Sequence, residues 1–90
     1  MIHLEKYLPI GSIVLLKSGQ KRVMIYGRRQ IEGTTGIEYD YISCLYPEGN
    51  MSYDTSFLFN HDQIDRVYFL GFQDEDEFEF QNKYLRGENK

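Results

Sequence analysis

The chain has 90 residues, of which 41% are hydrophobic and 16% aromatic. This length predicts one domain over residues 1–90, and the aromatic content excludes a disordered chain. The net charge of −4 argues against general binding to nucleic acids or to anionic membranes.

The first predicted strands form a hairpin. Residues 12–17 are a continuous apolar run, typical of a strand buried on both faces. A glycine-containing loop at residues 18–20 leads to the return strand at residues 21–31. Gly27 lies inside that return strand and predicts a bulge or a sharp bend.

A third strand is predicted over residues 37–46, where β-favouring residues are frequent and neither alternating face is purely polar. We therefore place it inside a sheet, with contacts on both sides. The turn residues that follow end the strand. Residues 56–59 are a short apolar segment. Asn60 and Gln63 then have the spacing of a capping box, which predicts one helical turn over residues 61–65.

Residues 66–72 predict the last strand, and a helix follows from residue 75 to about residue 86. Asp74 is a favourable N-cap for this helix, Glu77 occupies the reciprocal capping position, and Gly87 is a C-terminal stop. The sequence therefore predicts an α+β fold. We expect a four-stranded, strongly bent antiparallel sheet resembling an SH3-type half barrel, with a short helical turn and a C-terminal helix packed on it.

No catalytic residue, cofactor site or metal site is predicted. His3 and His61 are far apart, and no histidine pair or cysteine pair has metal-ligand spacing, although Asp62 or Asp65 could assist a histidine. Cys44 lies in the middle of a strand among large apolar residues, which predicts a buried structural thiol and not a nucleophile.

Charge is unevenly distributed along the chain. Five basic side chains lie in an acid-free stretch over residues 12–31: Lys17, Lys21, Arg22, Arg28 and Arg29. Five acidic side chains cluster within residues 74–79. Three interpretations remain open: two solvated faces, a dipolar surface that orients a partner, or a small-barrel site for single-stranded nucleic acid that uses Tyr26 and the basic residues.

The chain shows no feature of an exported or membrane-spanning protein. Cys44 is the only cysteine, so no disulfide can form within the chain, which suits a reducing compartment. Residues 1–20 lack the order of a secretory signal because charged and turn-forming residues interrupt any apolar run. No stretch approaches the ~20 consecutive apolar residues of a transmembrane helix. We therefore expect a cytoplasmic protein.

Three blocks, at residues 7–17, 39–50 and 57–72, resemble the bacterial domain of unknown function 4176, a family found in Firmicutes. Members of that family are small cytosolic proteins encoded in type VII secretion loci. Some act as accessory proteins or chaperones that bind an LXG-type or nuclease toxin and help target it to the secretion machine. The resemblance implies a non-enzymatic adaptor that binds the N-terminal targeting region of a secreted toxin. The alternatives are an immunity or regulatory protein, or a nucleic-acid binder.

The predicted partner surface consists of exposed aromatic side chains, because large apolar patches on a soluble protein commonly mark binding sites. The candidate rings are Tyr39, Tyr41, Tyr46, Tyr53, Tyr68 and Phe72. The predicted protein-binding residues are Tyr46, Pro47, Glu48, Gly49, Asn50 and Phe72. An open edge strand could also accept a partner strand or self-associate into a homodimer.

Overall fold

The structure is a computed structural model that describes residues 7–85 apart from the side chain of Tyr53. Its centre is a five-stranded antiparallel sheet, whose strands are numbered in chain order and arranged as β4-β3-β2-β1-β5. The strands are β1 (Ile13–Leu16), β2 (Val23–Ile31), β3 (Glu38–Leu45), β4 (Phe57–Phe59) and β5 (Ile64–Phe69). The first four form a meander, and β5 then returns to pair with β1. The structure confirms an α+β fold with an antiparallel sheet.

The prediction of four strands is wrong, because Phe57–Phe59 pairs with β3 and forms a fifth. A segment of three residues is too short for alternation to identify it as a strand. β3 lies between β2 and β4, as predicted from its mixed faces. The expectation that β1 is buried on both faces is wrong as well, since Val14 is buried but Ile13 and Leu15 are partly exposed.

The hydrophobic core lies on one face of the sheet, here called the inner face. Its buried members are Tyr7, Val14, Val23, Ile25, Tyr41, Phe59 and Leu85. Residues paired directly across strands share a face, and the registers Val14↔Val23 and Tyr41↔Phe59 place these side chains together. The C-terminal helical segment covers this face through Leu85.

Tyr41 is the centre of this core and not an exposed ring, so its inclusion among the candidate partner-binding rings is wrong. Its ring centroid lies 5.3 Å from that of Phe59 and 5.9 Å from that of Tyr7. Its hydroxyl accepts a hydrogen bond from the Leu8 N–H at 3.0 Å and lies 2.7 Å from His61 Nδ1. Burial raises the pKa of the Tyr41 phenol above its ordinary value.

The bulge predicted at Gly27 is confirmed by a register shift between Ile25 and Gly27. A Cβ at Gly27 would lie 2.7 Å from Ile42 Cγ2, which explains the absence of a side chain there. The extra residue also reverses the alternation of the strand. Arg28 therefore pairs with Tyr41 and lies on the inner face, where it reaches the C-terminal helix.

The C-terminal helix α1 (Glu75–Phe80) begins at the predicted N-cap, where Asp74 Oδ1 accepts a hydrogen bond from the Glu77 N–H at 3.0 Å. The Glu77 carboxylate, predicted to return to the cap, instead bonds the Arg28 guanidinium at 2.6 and 2.9 Å. The helix continues as a π-helical turn over Gln81–Leu85. The predicted helix end near residue 86 and the stop at Gly87 lie outside the described residues.

The helical turn predicted after Asn60 is present as a 3-10 helix over His61–Gln63. The Asn60 N–H donates to Gln63 Oε1 at 2.8 Å, which is the predicted reciprocal half of the capping box. The turn is shorter than predicted, because β5 begins at Ile64. A second 3-10 helix covers Tyr53–Thr55.

Candidate functional site

The opposite, outer face of the sheet carries a second row of apolar side chains. The register places Cys44 beside Met24, Met24 beside Ile13, and Ile13 beside Phe69. These four side chains form a row across β3, β2, β1 and β5, because directly paired residues share a face. Cys44 is 2% exposed at one end of the row and Phe69 is 58% exposed at the other, so the row opens to solvent at β5.

β5 and the residues after it form the most exposed apolar stretch of the described chain. From residue 67 to residue 72, every large apolar side chain is exposed: Val67 by 45%, Tyr68 by 47%, Phe69 by 58%, Leu70 by 47% and Phe72 by 78%. A continuous apolar run of this kind is typical of a strand covered on both faces. We call these five residues the β5 surface.

Two arginines lie near the ring of Tyr68. The Arg22 guanidinium carbon lies 5.3 Å from the Tyr68 ring centroid and 5.3 Å from that of Tyr46. The Arg66 guanidinium carbon lies 5.7 Å from the Tyr68 centroid. Within residues 7–85, neither arginine forms an ion pair with a carboxylate. We call Arg22, Arg66, Tyr46 and Tyr68 the Tyr–Arg cluster. Cation–π attraction to the tyrosine rings positions the two guanidinium groups, and the guanidinium N–H groups remain available to an acid.

The predicted binding segment at residues 46–50 is a turn attached to the start of β2. The Tyr46 N–H donates to the Arg22 carbonyl oxygen at 3.0 Å, and the Tyr46–Pro47 peptide bond is cis. Gly49 adopts a φ of 82°, and its N–H donates to the Leu45 carbonyl oxygen at 2.8 Å. Only a residue without a side chain adopts this φ without strain, which accounts for glycine at this position.

The side chains of this turn are mostly exposed. Glu48 pairs with Lys21 at 2.9 Å, and the hydrogen bond from Lys21 lowers the pKa of the Glu48 carboxyl. Pro47 and Asn50 are exposed as well. The turn therefore presents its side chains to solvent beside the Tyr–Arg cluster.

The two predicted aromatic anchors lie at different ends of the sheet. Neighbouring strands are antiparallel throughout, so β3 ends where β5 begins. Tyr46 follows the end of β3, whereas Phe72 follows the end of β5. The structure thus brings Tyr46 together with Tyr68, through Arg22, and places Phe72 at the far end of the β5 surface.

The sequence model of the family described as domain of unknown function 4176 (DUF4176) matches residues 7–80. The chain belongs to this family. No curated protein and no solved structure matches the chain. The match spans the sheet and α1, so the β5 surface and the Tyr–Arg cluster both lie inside the DUF4176 domain.

Most of the predicted basic stretch of this DUF4176 chain is paired with acids. Three of its five basic side chains form ion pairs: Lys21 with Glu48, Arg28 with Glu77, and Arg29 with Glu38. Arg22 instead belongs to the Tyr–Arg cluster. The stretch therefore does not form one continuous cationic groove.

Sequence reasoning missed Arg66 as a site residue of the DUF4176 domain and treated Arg22 only as part of the basic stretch. The available signal was the spacing of Arg66 and Tyr68, since residues two apart on a strand share a face. Their meeting with Arg22 depends on the return of β5 to β1, which local sequence does not specify.

Several other features of the DUF4176 domain bear on chemistry. Cys44 is a free thiol and is buried, as predicted. In the part of the chain that the structure describes, no group of three or more His, Cys, Asp or Glu side chains could hold a metal ion. Over the same residues, no helix has both the length and the apolar character needed to cross a membrane.

Proposed function

We propose that this protein is a non-enzymatic, cytoplasmic adaptor or chaperone that binds a type VII secretion toxin of the LXG or nuclease type. It binds the N-terminal targeting region of the toxin and helps target it for export. The observation that carries the binding role is the β5 surface, where five large apolar side chains are between 45% and 78% exposed. Exposed apolar surface of this extent commonly marks a protein interface. Family membership supports the toxin as the partner.

The composition of the surface suits a protein interface. Aromatic residues and arginine are enriched at interfaces, and a few buried anchors usually supply most of the binding energy. Tyr68, Phe69 and Phe72 offer such anchors, and Arg22 and Arg66 add charge-assisted donors at one end. An adaptor needs this kind of platform and needs no activated acid, base or nucleophile.

We also propose that the sheet forms an SH3-type half barrel. It is supported by the four-strand meander, by the 3-10 helix at His61–Gln63 and by the return of the last strand to the first. Small barrels of this kind present their binding residues on edges and loops, which is where the β5 surface lies.

Nucleic-acid binding and an immunity or regulatory role are the alternatives. Arginine beside tyrosine favours the former, because small barrels bind single strands with aromatic platforms and cationic grooves. The net charge of −4 and the three internal ion pairs of the basic stretch oppose it.

The test is coexpression with the N-terminal region of a toxin from the same secretion locus, followed by size-exclusion chromatography with light scattering. We expect a stable complex with this region and none with the C-terminal effector domain of the same toxin. Complex formation only with the effector domain would favour an immunity protein. Submicromolar, salt-sensitive binding to single-stranded DNA or RNA would favour the nucleic-acid function.

A further inference from the structure

β5 offers an unpaired strand edge as well as exposed side chains. Within residues 7–85 its only neighbour in the sheet is β1. It is six residues long, whereas β4 at the other edge has three. An edge strand presents a row of N–H and C=O groups that can pair with another chain. β5 is therefore the longer of the two open edges.

The exposed side chains of β5 lie on both faces of the sheet. Val67 pairs with Val14 and so shares the inner face. A register shift between Ile13 and Val14 then breaks the alternation, so Phe69, which pairs with Ile13, lies on the outer face. A helix docked on one face would cover only one of these two side chains. A strand added at the edge would cover part of both, because its own alternate side chains pass on either side of the sheet. The exposure pattern therefore favours an added strand.

The positive charges on the outer face favour an added strand that carries acidic side chains. Arg66 and Arg22 both lie near the Tyr68 ring and have no carboxylate partner in the described chain. A guanidinium binds a carboxylate through two parallel hydrogen bonds, which makes an acidic side chain the complementary group. Asp65 is the one acidic residue within β5, and it pairs with neither arginine.

A second copy of this chain fits the edge less well than a different protein does. Each copy carries a net charge of −4, so two copies repel each other. A two-fold pairing centred on Val67 would also set Asp65 of one copy against Phe69 of the other, which places an ionised carboxylate against an apolar ring.

We infer that β5 accepts an extended segment of a partner protein as a sixth strand. This segment carries apolar residues against Val67 and Phe69, and it carries Asp or Glu where it passes Arg66 and Arg22. The inference deepens the proposed function, on which it rests only for the identity of the partner as a toxin.

A random-peptide display selection against the purified chain tests the edge without assuming a toxin. We expect the selected peptides to carry apolar residues on both of their alternating faces, and Asp or Glu on the face that they share with Arg66. Backbone N-methylation of a selected peptide at alternate residues removes the donors along one edge, so methylation in one register should abolish binding and methylation in the other should not. Selected peptides without acidic residues, or equal tolerance of both registers, would overturn the inference.

Charge-reversal variants test the Tyr–Arg cluster. Arg22→Glu and Arg66→Glu should each weaken binding of the selected peptide at least about thirtyfold, which corresponds to about 2 kcal/mol. Lys83→Glu is the matched control, because Lys83 is an exposed cation on the C-terminal helical segment, and it should leave the affinity unchanged. Circular dichroism verifies that each variant is folded. Equal affinities for all three variants, or a stable dimer in light scattering that the peptide cannot dissociate, would contradict the inference.

Hydrogen exchange with the toxin N-terminal region separates this inference from the proposed function. We expect amides of residues 64–69 to become protected in the complex. A toxin complex that leaves these amides unchanged would overturn the inference and leave the proposed function standing. If the selected peptides carry acidic residues and tolerate N-methylation in one register only, but the toxin does not bind, the inference is supported and the proposed function is wrong.

Discussion

The ion pair between Arg28 and Glu77 attaches α1 to the sheet, and Glu77→Gln tests its contribution. Its two hydrogen bonds measure 2.6 and 2.9 Å, and the two side chains are only 5% and 12% exposed. Arg28 also donates to the Leu8 carbonyl oxygen, and Glu77 also accepts from Gln81. Because glutamine has nearly the same shape as glutamate, the substitution removes little besides the negative charge.

The expected loss is a large part of the total stability. Removing one partner of a buried ion pair leaves the other charge uncompensated and costs about 3–5 kcal/mol. A domain of 90 residues has an unfolding free energy of roughly 5–13 kcal/mol at about 0.05–0.15 kcal/mol per residue. At about 4 °C or more per kcal/mol, the Tm should fall by at least about 12 °C.

Thermal and urea unfolding, followed by circular dichroism, measure this loss against a matched control. Arg29 and Glu38 form the same type of pair at 2.9 Å, but their side chains are 42% and 48% exposed. Glu38→Gln should therefore cost no more than about 1 kcal/mol. Replacing both Arg28 and Glu77 by apolar residues should restore much of the loss, since no unpaired charge is left. A Glu77→Gln variant no less stable than Glu38→Gln would refute this reasoning.

Three further predictions concern the core and the backbone. A Cβ at Gly71 would lie 2.1 Å from the Ile10 carbonyl oxygen, so Gly71→Ala should lower the unfolding free energy by about 1–3 kcal/mol or more. Gly33 has open space around it, so Gly33→Ala, the control, should change the unfolding free energy by less than about 0.5 kcal/mol. Equal Tm values for the two variants would contradict this prediction. Because burial raises the pKa of Tyr41, the folded state retains its proton longer, and stability should fall above about pH 10 by up to about 1.4 kcal/mol per pH unit. Tyr41→Phe should reduce that slope in urea titrations, and an unchanged slope would count against the assignment. Cys44 is 2% exposed and should react with a thiol reagent only on unfolding, so rapid labelling of the native protein would show that it is accessible.

Local sequence signals predicted much of the fold. Alternation identified the third strand, the internal glycine predicted the bulge at Gly27, and Asp74 begins the C-terminal helix as its residue type predicts. These features depend on neighbours along the chain. The strand at Phe57–Phe59 and the burial of Tyr41 were missed, because a short pairing and the choice of covered face depend on contacts distant in sequence.

The candidate site was predictable only in part, for the same reason. Composition predicted an excess of exposed aromatic rings, and Phe72 and Tyr68 are indeed exposed. The cluster of Arg22 and Arg66 around Tyr68 requires β5 to pair with β1, a contact between segments about fifty residues apart in sequence. No local pattern encodes such a contact. The same holds for Glu77, whose role as a cap was predicted and whose partner is Arg28.

Calorimetric titration of the toxin N-terminal region into the parent protein, Phe72→Ala and Tyr46→Ala tests the central claim most directly. Phe72 is 78% exposed, so its truncation should leave the protein folded by circular dichroism. If the toxin buries these rings as interface anchors, each loss should weaken binding at least about thirtyfold. No measurable binding by the parent, or folded variants that bind as tightly as the parent, would contradict the claim.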